Sequence, residues 1–276
     1  MKIVSWNING LRAALDKGLI DYIIVARPDI IMLQEVKLAE IPREIAALCG
    51  KLGMKVNHNP AKQKGYSGTM CLYKQKPKKI LHGFVNDIFD KRYSDALGAE
   101  DLNNEGRLIT LEYQSYYVLN VYFPSYVPDV KGRLDRSYIR AEWDSCFKDY
   151  VENLTAMKPV IIGGDFNVAR SYIDIYPEND KNRKDPPGFL SEGREAMENL
   201  LELGLVDAFR HLHPKRTGVY TWWNINDAKR INNYGRRLDY FLVSCDVAEK
   251  IRSVTHHADV FGSDHCPIQL IIDIVL

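Results

Sequence analysis

Residues 158–170 read KPVIIGGDFNVAR. Val160, Ile161 and Ile162 form a short β-branched run with no polar residue between them, the pattern of a strand buried on both faces. Such a strand normally ends in a turn. This one ends in Gly163, Gly164 and then Asp165, Phe166 and Asn167, so it delivers a carboxylate and an amide to one point. The two glycines have no side chain and are expected to let a substrate backbone come close. The Gly-x4-Gly-Lys spacing of a phosphate-cradling loop is missing.

Outward from this strand, other runs of similar length and composition recur. They are KIVSW (2–6), DIIMLQE (29–35), GTMCLYK (68–74), RLITLEY (107–113), YYVLNVYF (116–123), GVYTWW (218–223), LDYFLVS (238–244) and PIQLIIDIV (267–275). Each is expected to be a strand. Helical periodicity covers 10–26, 41–53, 133–156 and 191–203, with Pro28 ending the first and Gly188 and Ser191 preceding the last. The elements do not alternate strictly, and several strands follow one another as hairpins. The expectation is an α/β fold of mixed sheets with helices outside, rather than a doubly wound parallel sheet. No linker, repeat or low-complexity segment divides the 276 residues, which are read as one domain, 1–276.

Composition excludes little. The net charge is +1, and 46% of residues are apolar and 26% charged, as in ordinary soluble domains. The five cysteines are scattered without zinc or redox spacing and read as reduced thiols. No signal peptide or membrane-spanning run is visible, so a cytoplasmic address is expected. Long polar loops at 86–106, 124–133, 171–190 and 224–237 carry basic clusters: Lys91 and Arg92; Lys131 and Arg133; Lys181, Arg183 and Lys184; Lys229, Arg230, Arg236 and Arg237. Singly, each reads as a solvated loop. Together they suggest a basic face for a polyanion.

Several strands end in polar groups: Asn7 and Asn9; Gln34 and Glu35 with Lys37 beyond; Asp165 and Asn167; Asp239; and Asp264 with His265. One such end is an ordinary cap or turn. Five of them suggest an acid and amide cluster with one imidazole, which suits phosphodiester hydrolysis. A hard divalent cation takes oxygen ligands, and Glu35 is the natural one. Asp165 and Asn167 can orient water. A carboxylate on one nitrogen of His265 would fix its tautomer and support a positive charge facing phosphate. His58, His82, His211, His213, His256 and His257 lack such settings and are read as structural.

Motifs in a fixed order along the whole chain resemble the exonuclease III family of AP endonucleases, within the endonuclease/exonuclease/phosphatase superfamily. They are SWNINGLRA (5–13), PDIIMLQEVK (28–37), KGYSG (64–68), NEGR (104–107), NVYFP (120–124), GGDFNVA (163–169), YTWW (220–223), RRLDYFLVS (236–244) and GSDHCPI (262–268). The resemblance implies a four-layer α/β sandwich, two mixed sheets face to face with helices outside and the site at one rim. It implies Glu35 as principal metal ligand, with Asn9, at a position that holds Asp or Asn in relatives, also at the metal, and Asp264 as a second acidic position for an alternative metal site. Asn7 becomes a supporting amide, Asp165 the group that orients or activates water, and Asn167 a holder of water and phosphate. Tyr122 becomes the phenol near the leaving group or phosphate, and Asp239 the partner of His265, which stabilises the pentacovalent phosphate. Arg12, Lys37, Tyr66, Gly68 and Asn233 match positions in or beside a DNA-binding face.

The implied activity is magnesium-dependent hydrolysis, with manganese as a substitute, 5′ of abasic sites in double-stranded DNA, together with action on 3′ ends, by a monomer. Three departures bear on substrate. Ser125 follows Pro124 where relatives have Asn; the 125–136 loop is longer; and Arg236 stands where relatives place Trp or Leu beside Trp222 and Leu238, the wall of an apolar sugar pocket. Two other readings use the same residues: a phosphoesterase of the superfamily acting on another phosphodiester, and a DNA-binding module without turnover.

Overall fold

The computed structural model describes residues 1–85, 102–126, 137–177, 188–224 and 227–274. Six strands, β1 (Lys2–Asn7), β2 (Ile30–Gln34), β3 (Lys55–Asn59), β4 (Thr69–Tyr73), β13 (Ile251–His256) and β14 (Ile268–Ile272), form one sheet in the order β13-β14-β1-β2-β4-β3. Six more, β5 (Lys79–His82), β6 (Leu108–Glu112), β7 (Tyr117–Tyr122), β8 (Val160–Asp165), β9 (Leu205–Asp207) and β12 (Asp239–Ser244), form a second in the order β5-β6-β7-β8-β12-β9. In each sheet one parallel pair, β1 with β2 or β7 with β8, sits among antiparallel neighbours.

Side chains alternate across a strand, and the alternation here separates three apolar layers. Ile3, Ile30, Met32, Ile161, Phe241 and Leu270 point into the space between the sheets. Their neighbours Val4, Ile31 and Leu33 pack outward with Leu11, Ile23, Ile45 and Leu48 of helices α1 (Leu11–Asp16), α2 (Leu19–Ala26) and α3 (Arg43–Leu52). On the other side Leu119, Val121, Ile162 and Leu242 meet Trp143, Phe147 and Met197 of α4 (Ser137–Thr155) and α5 (Ser191–Leu201). The result is a helix–sheet–sheet–helix sandwich. Short helices α6 (Ala208–Leu212), α7 (Asp227–Ile231) and α8 (Cys245–Ala248) and the ribbon of β10 (Trp222–Trp223) with β11 (Gly235–Arg236) complete the described elements. Among the described residues no helix is long and apolar enough to cross a membrane.

Four expectations are corrected. The helix expected over 10–26 is two, because Gly18 takes a left-handed conformation (φ 91°) between them. Only Trp222 and Trp223 of GVYTWW form a strand; the Thr221 hydroxyl instead accepts the backbone N–H groups of Leu238 and Asp239. The glycines of β8 serve packing rather than substrate approach. A Cβ on Gly163 would lie 2.3 Å from Met32 of the facing sheet, and one on Gly164 1.8 Å from the Val121 carbonyl oxygen. Finally, Arg237 is no part of a basic face. It is fully buried and paired with Asp174 and Asp207. Arg230 donates to the carbonyls of Ser263, Ala258 and Val260. Lys91, Arg92, Lys131, Arg133, Lys181, Arg183 and Lys184 lie outside the described residues, as does the loop after Tyr126 up to residue 136.

Candidate active site

Strand direction brings the polar ends together. β1 and β2 run parallel and end at Asn7 and Gln34, which are paired in register. β14 runs antiparallel to β1, so the residues before it, Asp264 and His265, arrive at the same rim. In the second sheet the register aligns Tyr122 with Asp165 and Asp165 with Asp239.

Asn7 is the hub between the sheets. Its fully buried amide donates to Glu35 Oε1 at 2.9 Å and to Asp165 Oδ2 at 2.9 Å. Its own oxygen accepts the backbone N–H of Asn9. Asp165 Oδ1 accepts the N–H of Asn167 at 2.8 Å, and Oδ2 lies 3.7 Å from His265 Nε2. The other ring nitrogen of His265 lies 2.8 Å from Asp239 Oδ2, as expected for a carboxylate–imidazole pair. Asn167 donates one amide hydrogen to the Phe123 carbonyl. Glu35 pairs with Lys37 at 2.8 Å; Lys37 also donates to Asn9 Oδ1 at 2.5 Å, and Asn9 donates to Asp264 Oδ1 at 3.0 Å. The indole of Trp222 donates to the other oxygen of Asp264.

Asn9, Glu35, Lys37 and Asn167 all take positive φ, from 46° to 56°. Such backbone is costly for residues other than glycine and persists where the surroundings impose it. Here backbone bonds do so: Gly10 N–H donates to Glu35 O, Val36 N–H to Gly68 O and Lys37 N–H to Ser67 O.

Burial and charge set the protonation states. Burial alone would lower His265, but Asp239 and then Asp165 outweigh it and raise the imidazole to about 10. Burial raises Asp165, against the pull of His265 and with help from Asp239, to about 7. Burial also raises Glu35 and Asp264, yet both end below their ordinary values: Lys37 lowers the first, and His265 with the Trp222 and Asn9 hydrogen bonds lowers the second. The Tyr122 phenol is pushed well up by burial and by Glu35, against Arg107, so it stays protonated.

Tyr122 is stacked by the Arg107 guanidinium, 4.4 Å from its ring centre, and Arg107 also donates to Tyr66 Oη and pairs with Glu105. Arg12 is exposed near the start of α1. The Gly68 carbonyl accepts the Val36 N–H, and Asn233 is bonded to the Trp223 indole and the Gly218 carbonyl. Trp222 and Leu238 pack with Ala169, Phe189 and Ile175 in a small apolar cluster, and the Arg236 guanidinium lies over Trp222, 5.3 Å from its centre. Sequence reading passed over Ser263, whose hydroxyl donates to the Asn7 carbonyl and accepts the His265 N–H, although it stood inside a quoted motif. Trp6, at the polar end of the first strand, donates its indole N–H to the His265 carbonyl.

The donor set fits a hard divalent cation. Glu35, Asp165, Asp239 and Asp264 bring four carboxylates; Lys37 and a protonated His265 answer two of them. Asp239 also keeps a buried oxygen without a hydrogen-bond partner. The tight group Asp165, Asp239 and His265 has ligand atoms within 4.8 Å of one another. Beside it, Glu35, Asn9 and Asp264 form a second oxygen-rich group, joined through Lys37 and the Asn9 amide.

Similarity to known proteins extends along nearly the whole chain. The pattern of the endonuclease/exonuclease/phosphatase family matches residues 4–265. An exodeoxyribonuclease of Bacillus subtilis is 38% identical over 280 residues, covering 99% of this chain and 100% of the relative. A DNA-(apurinic or apyrimidinic site) endonuclease of Dictyostelium discoideum is 40% identical over 275 residues, covering 99% of this chain and 71% of the relative. The crystal structure of an AP endonuclease from Leishmania major superposes with a TM-score of 0.79 at 28% identity, covering 98% of this chain and 86% of that one.

Proposed function

This chain belongs to the endonuclease/exonuclease/phosphatase family, and we propose that within it the protein is a DNA repair phosphodiesterase, cleaving 5′ of abasic sites and trimming 3′ ends. The observation that carries this reading is the Asn7 bridge between Glu35 and Asp165, facing the Asp239–His265 pair across 3.7 Å. The named activities of the Bacillus and Dictyostelium relatives support the substrate class. The site draws on residues from Asn7 to His265, which supports reading the chain as one domain, and we read it as a monomer in the cytoplasm.

In this mechanism Asp165, fixed by Asn7 and Asn167, orients a water molecule and takes its proton as the water oxygen attacks phosphorus. The bond from phosphorus to the 3′ oxygen breaks and that oxygen takes a proton from solvent, leaving a 3′-hydroxyl and a 5′-phosphate. The His265 imidazolium, held by Asp239, faces the charge that builds on the phosphoryl oxygens. Tyr122, still protonated, donates a hydrogen bond on the leaving side. Magnesium, with manganese as a substitute, would be held by Glu35 with Asn9 and Asp264, and when bound would add charge stabilisation at the phosphate. Flipping out a nucleotide costs least where the base is missing, which favours abasic sites without base reading. The apolar cluster of Trp222, Leu238 and Phe189 is the proposed wall for the extruded sugar.

Arg236 favours a second emphasis with the same chemistry. A guanidinium stacked on Trp222 puts a cation at that wall, which suits a charged 3′ end better than a neutral sugar. The deciding experiment uses a duplex with one internal abasic-site analogue beside a duplex with a recessed, undamaged 3′ end, each with magnesium and with EDTA. Faster incision of the abasic strand supports the first emphasis and faster 3′ digestion the second. Absence of metal-dependent cleavage on both would overturn the reading.

A further inference from the structure

We infer that Lys37 is a built-in stand-in for the divalent cation: its ammonium occupies the cradle until the metal displaces it, and the freed side chain then turns to a DNA phosphate. This rests on the metal-dependent reading above. Lys37 Nζ sits 2.8 Å from Glu35 Oε2 and 2.5 Å from Asn9 Oδ1, so it bonds two of the three residues assigned to the metal. The third, Asp264, is tied to the same amide of Asn9 at 3.0 Å. An ammonium and a divalent ion cannot both fill this space at full charge, so they compete.

The local backbone lets the side chain move while the ligands stay. Gly10, Val36 and Lys37 are clamped by backbone bonds to Glu35, Gly68 and Ser67, and Val36 between the two charged residues is fully buried. The lysine stem, by contrast, runs over Gly10, where an added Cβ would be 3.8 Å from its Cδ, and its side chain keeps 31% exposure. A lysine carries a flexible stem and a compact, rotatable charge, which an arginine fork does not. Without metal, the ammonium bonds Glu35 and Asn9 together and keeps the cradle formed. With metal, a cation is released at the rim where the phosphate arrives.

The test measures Mn2+ binding to the EDTA-stripped protein without DNA, by titration calorimetry and by the electron paramagnetic signal of free Mn2+. Wild type is compared with Lys37→Gln and with Lys37→Arg, which keeps the charge. Removing the competitor is expected to tighten Mn2+ binding on the order of tenfold in Lys37→Gln, the equivalent of ~1.4 kcal/mol, and Lys37→Arg should stay closer to wild type. The melting temperature of Lys37→Gln should also rise more on adding Mn2+ than that of wild type. A further readout is the salt dependence of binding to an uncleavable duplex. Its slope should steepen by about 0.9 with Ca2+ in wild type, one more phosphate neutralised, and not in Lys37→Gln. Equal or weaker Mn2+ binding by Lys37→Gln overturns this inference alone. No Mn2+ binding by any of the three overturns it together with the metal-dependent reading.

Discussion

Asp165 has no freedom to be approximate. One oxygen accepts from the Asn167 backbone and the other from Asn7, and the second also faces His265. Replacing it by Asn keeps the shape but sets an amide where a donor already points, and removes the proton acceptor. Asp165→Asn is expected to lower kcat by about 10²–10⁴, with DNA affinity within a few-fold of wild type. Turnover within a few-fold of wild type would remove Asp165 from the proposed role. His265 carries a separate prediction, for protein in EDTA. Its folded pKa is raised to about 10 by Asp239 and Asp165 against burial, so the charged form is the one the fold favours. Its contribution to stability is therefore complete below the unfolded value of ~6.5 and is lost as pH rises toward the folded one. A nuclear magnetic resonance titration should find its ring still protonated at pH 8; a midpoint near 6.5 would contradict the pairing. These residues were legible because each stands at the end of a strand, where its chemistry interrupts an apolar run. Arg237 was not legible. Its partners Asp174 and Asp207 are 63 and 30 residues away in sequence, and nothing beside Arg237 announces them.

Legibility at the scale of elements follows position in the sheet. The eight inner strands were all expected, because a strand buried on both faces is nearly continuous in Val, Ile and Leu. Of these two six-stranded sheets, the four strands that were not expected, β3, β5, β9 and β13, are the four outermost. Edge strands mix polar residues into the run, as in KVNHN of β3, and so lose the signal. The element that holds the proposed sugar wall depends on a similar hidden device. Arg237, at the join between β11 and β12, bonds Asp174 of the short turn at 172–174 and makes a two-pronged contact with Asp207 at the end of β9. Arg210 of α6 bonds Asp174 as well. Arg237→Met removes one side of a buried, charged cluster: Asp174 keeps Arg210, while Asp207 loses its guanidinium. The expected cost is about 3–5 kcal/mol, read from the shift of a urea unfolding midpoint at pH 7. A cost below about 1 kcal/mol would mean that Asp207 finds its compensation in the α6 backbone N–H groups it already caps.

The active site belongs to neither sheet alone, so its geometry is a property of how the whole sandwich is aligned. Apolar packing between the sheets is non-directional and tolerates small slides. A directional tie lies one layer beneath the rim. Gln34, paired in register with Asn7, donates across the gap to Asn120 Oδ1 at 2.7 Å, and Asn120 donates back to the carbonyls of Leu33 and Met70 at 3.2 and 2.9 Å. Both side chains are fully buried. Asn120→Leu keeps the volume close but leaves one Gln34 amide hydrogen unpaired in an apolar layer, the other staying on Ser5 Oγ at 3.0 Å. A loss of about 1–3 kcal/mol follows from leaving such a group unpaired. Gln34→Met added to Asn120→Leu removes the stranded partner and should return much of that stability, giving a coupling above about 0.5 kcal/mol in a double-mutant cycle. Activity should behave differently. If the tie sets the position of Glu35 relative to Asp165, the double variant regains its melting temperature but keeps a reduced kcat, since an apolar pair has no preferred alignment. Recovery of stability and kcat together would show that packing alone holds the two halves of the site in place, and that Asn7 suffices to join them.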